Sequence, residues 1–243
     1  MEMDQGGDIR WIDVKGGVAE QMLRYVHVMS LRRRGFDARA VMSDGRLFRL
    51  FPDLPQCPMR RRGLLSWMKR AGGDDEPMSY EDVEALGDDL GRWFDLCPAR
   101  TPAAYSGLIS QFQSAVDTAA VHMLKRGRGT CTRDYYNWAI AGLRQWIDRP
   151  RFIVVTDNAG WAKGRLDLEG EDVRFVELPA RAHGLIFAAL RHAGHLVLSD
   201  TLSSWWGAWL CANPDKIIVA PKPWSAGDQS RLIPLHWISI PTT

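Results

Sequence analysis

The chain has 243 residues, 46% of them hydrophobic and 25% charged, and a formal net charge of +2. That is enough chain for one large domain or two small ones with sizeable cores, and too little net charge to argue for nucleic-acid binding. Cys57, Cys97, Cys131 and Cys211 are widely spaced and form no CxxC pair, so reduced thiols are expected, not a zinc site or a disulfide framework.

The start, MEMDQGGD, is acidic where a secretory signal would be basic and then apolar. No stretch approaches the ~18–20 apolar residues of a membrane span. Ile9 to Val14 alternates enough for a strand, and Gly16 and Gly17 make a turn. From Val18 the apolar residues Met22, Leu23, Val26, Met29 and Leu31 recur at helical spacing. Gly35 ends that helix after the basic run Arg32 to Arg34, which suits a helix C-terminus. Ala38 to Met42 reads as a second strand, completing a βαβ unit.

Residues 51–110 are rich in turn formers and charge. Met59 to Arg70 mixes basic residues with Leu64, Leu65, Trp67 and Met68. It reads as a solvated loop or short helix, or as a surface that touches anionic lipids. SYEDVEALGDDLGRWF predicts a helix from about Ser79, with Ser79 as N-cap.

From Val116 the alternation is regular. TAAVHML, RFIVVT, VRFVEL, HLVLS and KIIVA read as strands. Between them RDYYNWAIAGLRQWI, NAGWAKGRL, Ala182 to His192 and SSWWGAWLC read as helices. In the first of these helices Tyr135, Trp138, Ala139, Leu143 and Trp146 fall on one face. The repeated βα order predicts an α/β fold with parallel sheets covered by helices.

Ligands of open α/β sheets gather at the carboxyl ends of strands, so four loops carry the candidate chemistry. In KGGVAEQ, Gly16 and Gly17 either let backbone N–H groups meet an anion at a helix start or make a plain tight turn. The segment is neither a Walker loop nor GxGxxG. In VHMLKRGRGT, His122 at a strand end precedes Lys125, Arg126 and Arg128 among glycines. Clustered cations there suit a diphosphate, and an exposed basic turn is the plainer alternative. Asp157 in TDNAGW either contacts a ribose or base, or caps the next helix. In SDTLSSWWGAWL, Asp200, Thr201, Ser203 and Ser204 supply acceptors and hydroxyls at a helix start. Trp205, Trp206 and Trp209 cannot all face one ligand, so packing is expected of most of them.

In this order the loops resemble glycosyltransferase family 11, the α-1,2-fucosyltransferases. GGVAEQMLRYV from Gly16 is similar to the family's GGLGNQMFQYA-type segment, with Glu20 in place of its asparagine. HMLKRGRGT from His122 is similar to HxRRGDY with one inserted residue, and CTRDYY to the family's Cys…DYY segment. VTDN at Val155 to Asn158 is compared with an FSDD-like turn. DTLSSWWGAWL followed by PKPW at Pro221 to Trp224 is compared with NS[ST]FSWWGAWL and a "P..W" segment.

The resemblance implies a GT-B-like α/β architecture of two Rossmann-like domains with parallel sheets facing a cleft. Residues 1–115 would form the acceptor side and 116–243 the donor side. It implies inverting, metal-independent transfer of fucose from GDP-fucose to a galactoside, with no cofactor. Arg126 with Lys125 would stabilise the departing diphosphate. Gly16, Gly17, His122, Asp157, Asp200, Thr201, Ser203 and Ser204 would contact the donor. Glu20 or Asp13 could take the acceptor proton, and the sequence singles out neither. The partners implied are a nucleotide sugar and a galactoside-containing glycan, not nucleic acid. The expected location is cytoplasmic, with 59–70 as a peripheral contact at the inner membrane. A transferase of another nucleotide sugar, or a silent glycan- or partner-binding relative, are the alternatives.

Overall fold

The computed structural model describes residues 9–61, 79–95, 106–107, 110, 112, 117–125, 131–179, 182–224 and 229–242. The chain divides into two compact units, Met1–Arg100 and Thr101–Thr243. The expected boundary between 115 and 116 lies outside the described residues.

The first unit opens with β1 (Arg10–Val14), α1 (Val18–Arg33), β2 (Ala38–Met42), α2 (Arg46–Leu50) and β3 (Met59–Arg61). Two short helices follow, α3 (Tyr80–Glu84) and α4 (Asp89–Trp93). The strands form a parallel sheet in the order β1-β2-β3. Helix α1 buries Ala19, Met22, Tyr25 and Val26 at three- and four-residue steps, as the periodicity requires. Full burial of an apolar side chain such as Met22 or Val26 stabilises by roughly 1.5–3 kcal/mol.

Two expectations for this unit are corrected. Met59–Arg61 is a strand, not a loop or short helix: it pairs in register with Ala40–Met42. All three of its side chains are exposed, so the open backbone edge of β2 decides its conformation and no apolar pattern announces it. The rest of 59–70 lies outside the described residues. The helix expected from Ser79 is broken into α3 and α4 because Gly87 has φ 49°, which a helical ladder cannot accommodate. Ser79 does begin α3, in a capping box with Asp82.

The second unit contains β4 (Thr118–Met123), α5 (Arg133–Trp146), β5 (Arg151–Thr156), α6 (Ala159–Lys163) and β6 (Val173–Glu177). It continues with α7 (His183–Arg191), β7 (His195–Val197), α8 (Leu202–Trp209), β8 (Ile218–Lys222) and β9 (Ile238–Pro241). Its six strands are parallel, in the order β6-β5-β4-β7-β8-β9. Every side chain of β4 is buried, which is why TAAVHM reads as a continuous run rather than an alternation. Helix α5 packs Tyr135, Tyr136, Ala139, Ile140 and Leu143 against Val121, Phe152 and Val154.

Trp138 and Trp146 do not join that face: they are 52% and 50% exposed. The buried set runs through Tyr136 and Ile140, which turns the core-facing stripe away from Trp138. Trp146 is the last residue of α5, and its ring lies over Gly142, where a Cβ would meet it at 3.2 Å. Strand β9 was not foreseen, because three of its four side chains are exposed and it sits at the sheet edge. Among the described residues no helix is long and apolar enough to cross a membrane.

Candidate active site

Parallel strands bring their carboxyl ends to one edge, and in the second unit β5, β4 and β7 are neighbours. Their following loops are tied together across that edge. The Asp157 carboxylate, after β5, accepts from the backbone N–H of Lys125, after β4, at 2.6 Å. The cap of α6 belongs instead to Asn158, whose Oδ1 accepts from Trp161 N–H at 2.7 Å. The capping reading of Asp157 is therefore set aside. Its carboxylate shapes the β4 loop.

On the other side of β4, His122 reaches the β7 loop. Its Nδ1 is hydrogen-bonded to Ser204 Oγ and lies 2.9 Å from Ser199 Oγ. Ser199 Oγ also lies 2.9 Å from Ser204 Oγ and 3.2 Å from Thr201 Oγ1. Thr201 is the N-cap of α8, its Oγ1 accepting from Ser204 N–H at 3.3 Å. One imidazole and three hydroxyls thus fix where α8 begins relative to β4. Ser199 was not singled out from the sequence, because a serine two residues past a strand carries no signal until its neighbours are known.

His122 and Ser204 are 0% exposed and Ser203 is 5% exposed. His122 and Ser204 turn hydrogen bonds inward and hold the loops. Asp200 and Thr201, next to them in the chain, are half-buried. Asp200 Oδ1 accepts from the Cys131 thiol at 4.0 Å. Burial, with the Asp200 charge second, pushes that thiol up to about 12. Tyr135, in the CTRDYY segment, donates its hydroxyl to the carbonyls of Leu198 at 2.7 Å and Val219 at 3.2 Å. Burial holds the hydroxyls of Tyr135 and Tyr136 well above the ordinary tyrosine value. Lys125 is exposed, while Arg126 and Arg128 lie outside the described residues.

The SWWGAWL helix is built as a wedge of indoles. Trp205 and Trp206 are fully buried and meet edge to face at 4.9 Å. Trp209 stacks on Trp205 at 5.1 Å, and Trp205 Nε1–H donates to Leu232 O at 2.7 Å. Gly207 permits the closest approach in this region: a Cβ there would lie 2.5 Å from Leu190 Cβ on α7.

In the first unit, the carboxyl ends of β1 and β2 open into a cavity of about 570 Å³ lined by Lys15, Gly16, Glu20, Arg24, Ser43, Asp44 and Arg46. Gly16 has φ 94°. Its carbonyl accepts from Gln21 Nε2 and from Arg46 Nη2, both at 3.1 Å. Gly17 precedes α1 as N-cap. Asp44, unmarked in the sequence, accepts from the Arg46 backbone N–H at 2.9 Å and from Arg46 Nε and Nη2 at 3.0 and 2.8 Å. The Arg46 guanidinium holds the Asp44 carboxyl down to about 2.

Residues 121–238 match the model of the family described as Glycosyl transferase family 11. The chain is 26% identical over 135 residues to an "Alpha-1,2-colitosyltransferase" of Escherichia coli, covering 53% of this chain and 44% of that relative. It is 26% identical over 113 residues to the "O-antigen biosynthesis glycosyltransferase WbnK" of Escherichia coli, covering 46% of this chain and 37% of that relative. The chain thus spans less than half the length of each of these relatives. A crystal structure of a glycosyl transferase family 9 protein from Veillonella parvula DSM 2008 superposes with TM-score 0.54 at 10% identity, covering 96% of this chain and 86% of that one. That likeness concerns the fold, and the expected α/β, GT-B-like class with parallel sheets is borne out.

Proposed function

We propose that this chain, whose residues 121–238 match the model of Glycosyl transferase family 11, is an inverting glycosyltransferase. It moves fucose from GDP-fucose to a galactoside hydroxyl in an α-1,2 linkage, within glycan or polysaccharide assembly. One observation carries the reading. The matched segment contains the three strand-end loops that His122 and Asp157 tie into one edge.

In the step, the acceptor oxygen attacks the anomeric carbon while the bond from that carbon to the diphosphate breaks. Negative charge develops on the departing diphosphate. Arg126 and Lys125 supply cations to meet it, with no metal required. The start of α8 supplies the Thr201 hydroxyl and backbone N–H groups to a phosphate. Asp200 and Asp157 lie at the same strand ends and hold the donor through its sugar and nucleoside. His122 and Ser204 set the position of that edge from beneath it.

The α-1,2-colitosyltransferase relative favours a second reading, in which the donor carries colitose rather than fucose. The same experiment separates the two. Purified protein is offered GDP-fucose and a nucleotide-linked colitose with a galactoside acceptor, and the product mass is read. A fucosyl product supports the first reading and a colitosyl product the second. No product from either donor, with no GDP binding by calorimetry, contradicts both.

A further inference from the structure

We propose that the outer face of α5 is a glycan-binding platform, separate from the strand-end loops, on which a short stretch of neutral saccharide chain lies across Trp138 and Trp146. The platform belongs to the second unit alone, and it stands or falls independently of the transferase reading.

Trp138, Gly142 and Trp146 follow one another at four-residue steps, so they share one row of the helix. The two indoles are 52% and 50% exposed, although α5 already has a complete buried face in Tyr135, Tyr136, Ala139, Ile140 and Leu143. Core packing therefore does not account for them. Gly142 gives the second ring its seat: a Cβ there would meet Trp146 Cη2 at 3.2 Å and Cζ3 at 3.3 Å. The ring rests on bare backbone, which limits the positions it can take. Helical rise separates the two tryptophans by about 12 Å along the axis, the reach of a short oligosaccharide. The helix beneath them is held as well. Asn137 Nδ2 donates to Arg165 O at 3.2 Å and Arg144 Nη2 to Asp167 O at 2.6 Å, which ties α5 to the loop after α6.

The chemistry of the face selects the occupant. Between the indoles lie Ala141, Gly142 and Gln145, small or neutral, with Ala141 and Gln145 exposed. Charges at its margin are matched: Arg144 pairs with Glu171 at 2.9 Å and Arg149 with Asp148 at 3.6 Å. Among the described residues the face thus carries no excess of cations to attract a phosphate or an anionic lipid. A pyranose ring matches such a surface. Its C–H face covers an indole, its hydroxyls reach the Gln145 amide and water, and it brings no charge to be balanced. Area argues against a second copy of the chain as occupant. An aromatic side chain offers roughly 150–250 Å². Two half-exposed ones fall far short of the ~800 Å² per partner of a stable interface.

The test runs wild type, Trp138→Ala/Trp146→Ala and Gly142→Ala in native gels containing a neutral galactan, and on an array of neutral and acidic oligosaccharides of graded length. Both tryptophans are half-exposed, so thermal melts of the double variant are expected to stay close to wild type. The wild type is expected to be retarded by the galactan and to bind neutral oligosaccharides, and the double variant to bind them at least about tenfold more weakly. Gly142→Ala keeps both indoles and improves helix propensity, yet it displaces the Trp146 ring, so binding weakens without loss of Tm. GDP binding by the double variant is expected to match wild type, which separates the platform from the strand-end loops. Equal retardation of wild type and double variant overturns the assignment, as does a folded wild type that binds no neutral glycan. A dimer in sedimentation velocity that the double variant abolishes makes a second copy the occupant, and overturns it too.

Discussion

At the scale of single residues, the site edge depends on buried hydrogen bonds more than on exposed charge. Ser204→Ala removes a hydroxyl that His122, Ser199 and Thr201 all approach. A buried imidazole that loses a partner costs about 1–3 kcal/mol. For a chain of this size that lowers Tm by roughly 2–4 °C per kcal/mol, measurable by calorimetry. On the proposed reading the same variant is expected to weaken GDP binding, because α8 no longer starts in a fixed place. Asp157→Ala frees the Lys125 loop. It is expected to lower the transfer rate with little change in Tm, read by kinetics beside a melt.

Buried acids in this region set a second expectation. Burial raises the Cys131 thiol from its ordinary 9.0 to about 12, and the Tyr135 and Tyr136 hydroxyls rise as well. In the unfolded chain these groups ionise at their ordinary values, so the stability linked to Cys131 is whole below pH ~9. It is lost as pH rises through about 12. A melt series from pH 7 to 11 should therefore show Tm falling above pH 9, and less steeply in Cys131→Ala. The residue types at the second unit's edge were legible in sequence order: His122, Asp157, Asp200, Thr201 and Ser204 all lie where a parallel sheet brings its strand ends. Their orientation was not, since a histidine that points into the core and one that points at a ligand are written alike.

At the scale of elements, the SWWGAWL helix joins sequence pattern to packing most directly. Its indoles fix α8 through Trp206, Trp209 and the Leu232 carbonyl, and Gly207 brings α8 against Leu190. Gly207→Ala places a methyl 2.5 Å from Leu190 Cβ, where both atoms are tied to backbone and neither can turn aside. Overpacking of this kind costs about 1–3 kcal/mol. The expected outcome is a lower denaturation midpoint in urea with an unchanged slope. Elements that bury a face were readable, because burial writes a period into the chain: α1 at helical spacing, β4 as an unbroken apolar run. Elements held at an edge were not. Strands β3 and β9 expose most of their side chains, and backbone pairing to an open neighbour leaves no mark on composition. The break at Gly87 was visible only as a glycine, and its positive φ depends on the surroundings.

At the scale of the whole molecule, two α/β units with parallel sheets follow from repeated βα order. The family match falls on the second unit, from within β4 to the start of β9. The proposed charge stabilisation by Lys125 and Arg126 predicts that chelation leaves the transfer rate unchanged, checked with EDTA in the assay buffer. The most direct test of the central claim is a donor screen on purified protein with galactoside acceptors, read by mass spectrometry and repeated with Arg126→Ala. The account predicts a deoxyhexose added from GDP-fucose by the wild type, and a rate lower by about 10²–10³-fold in the folded variant. No sugar added from any nucleotide donor by the folded wild type would contradict it.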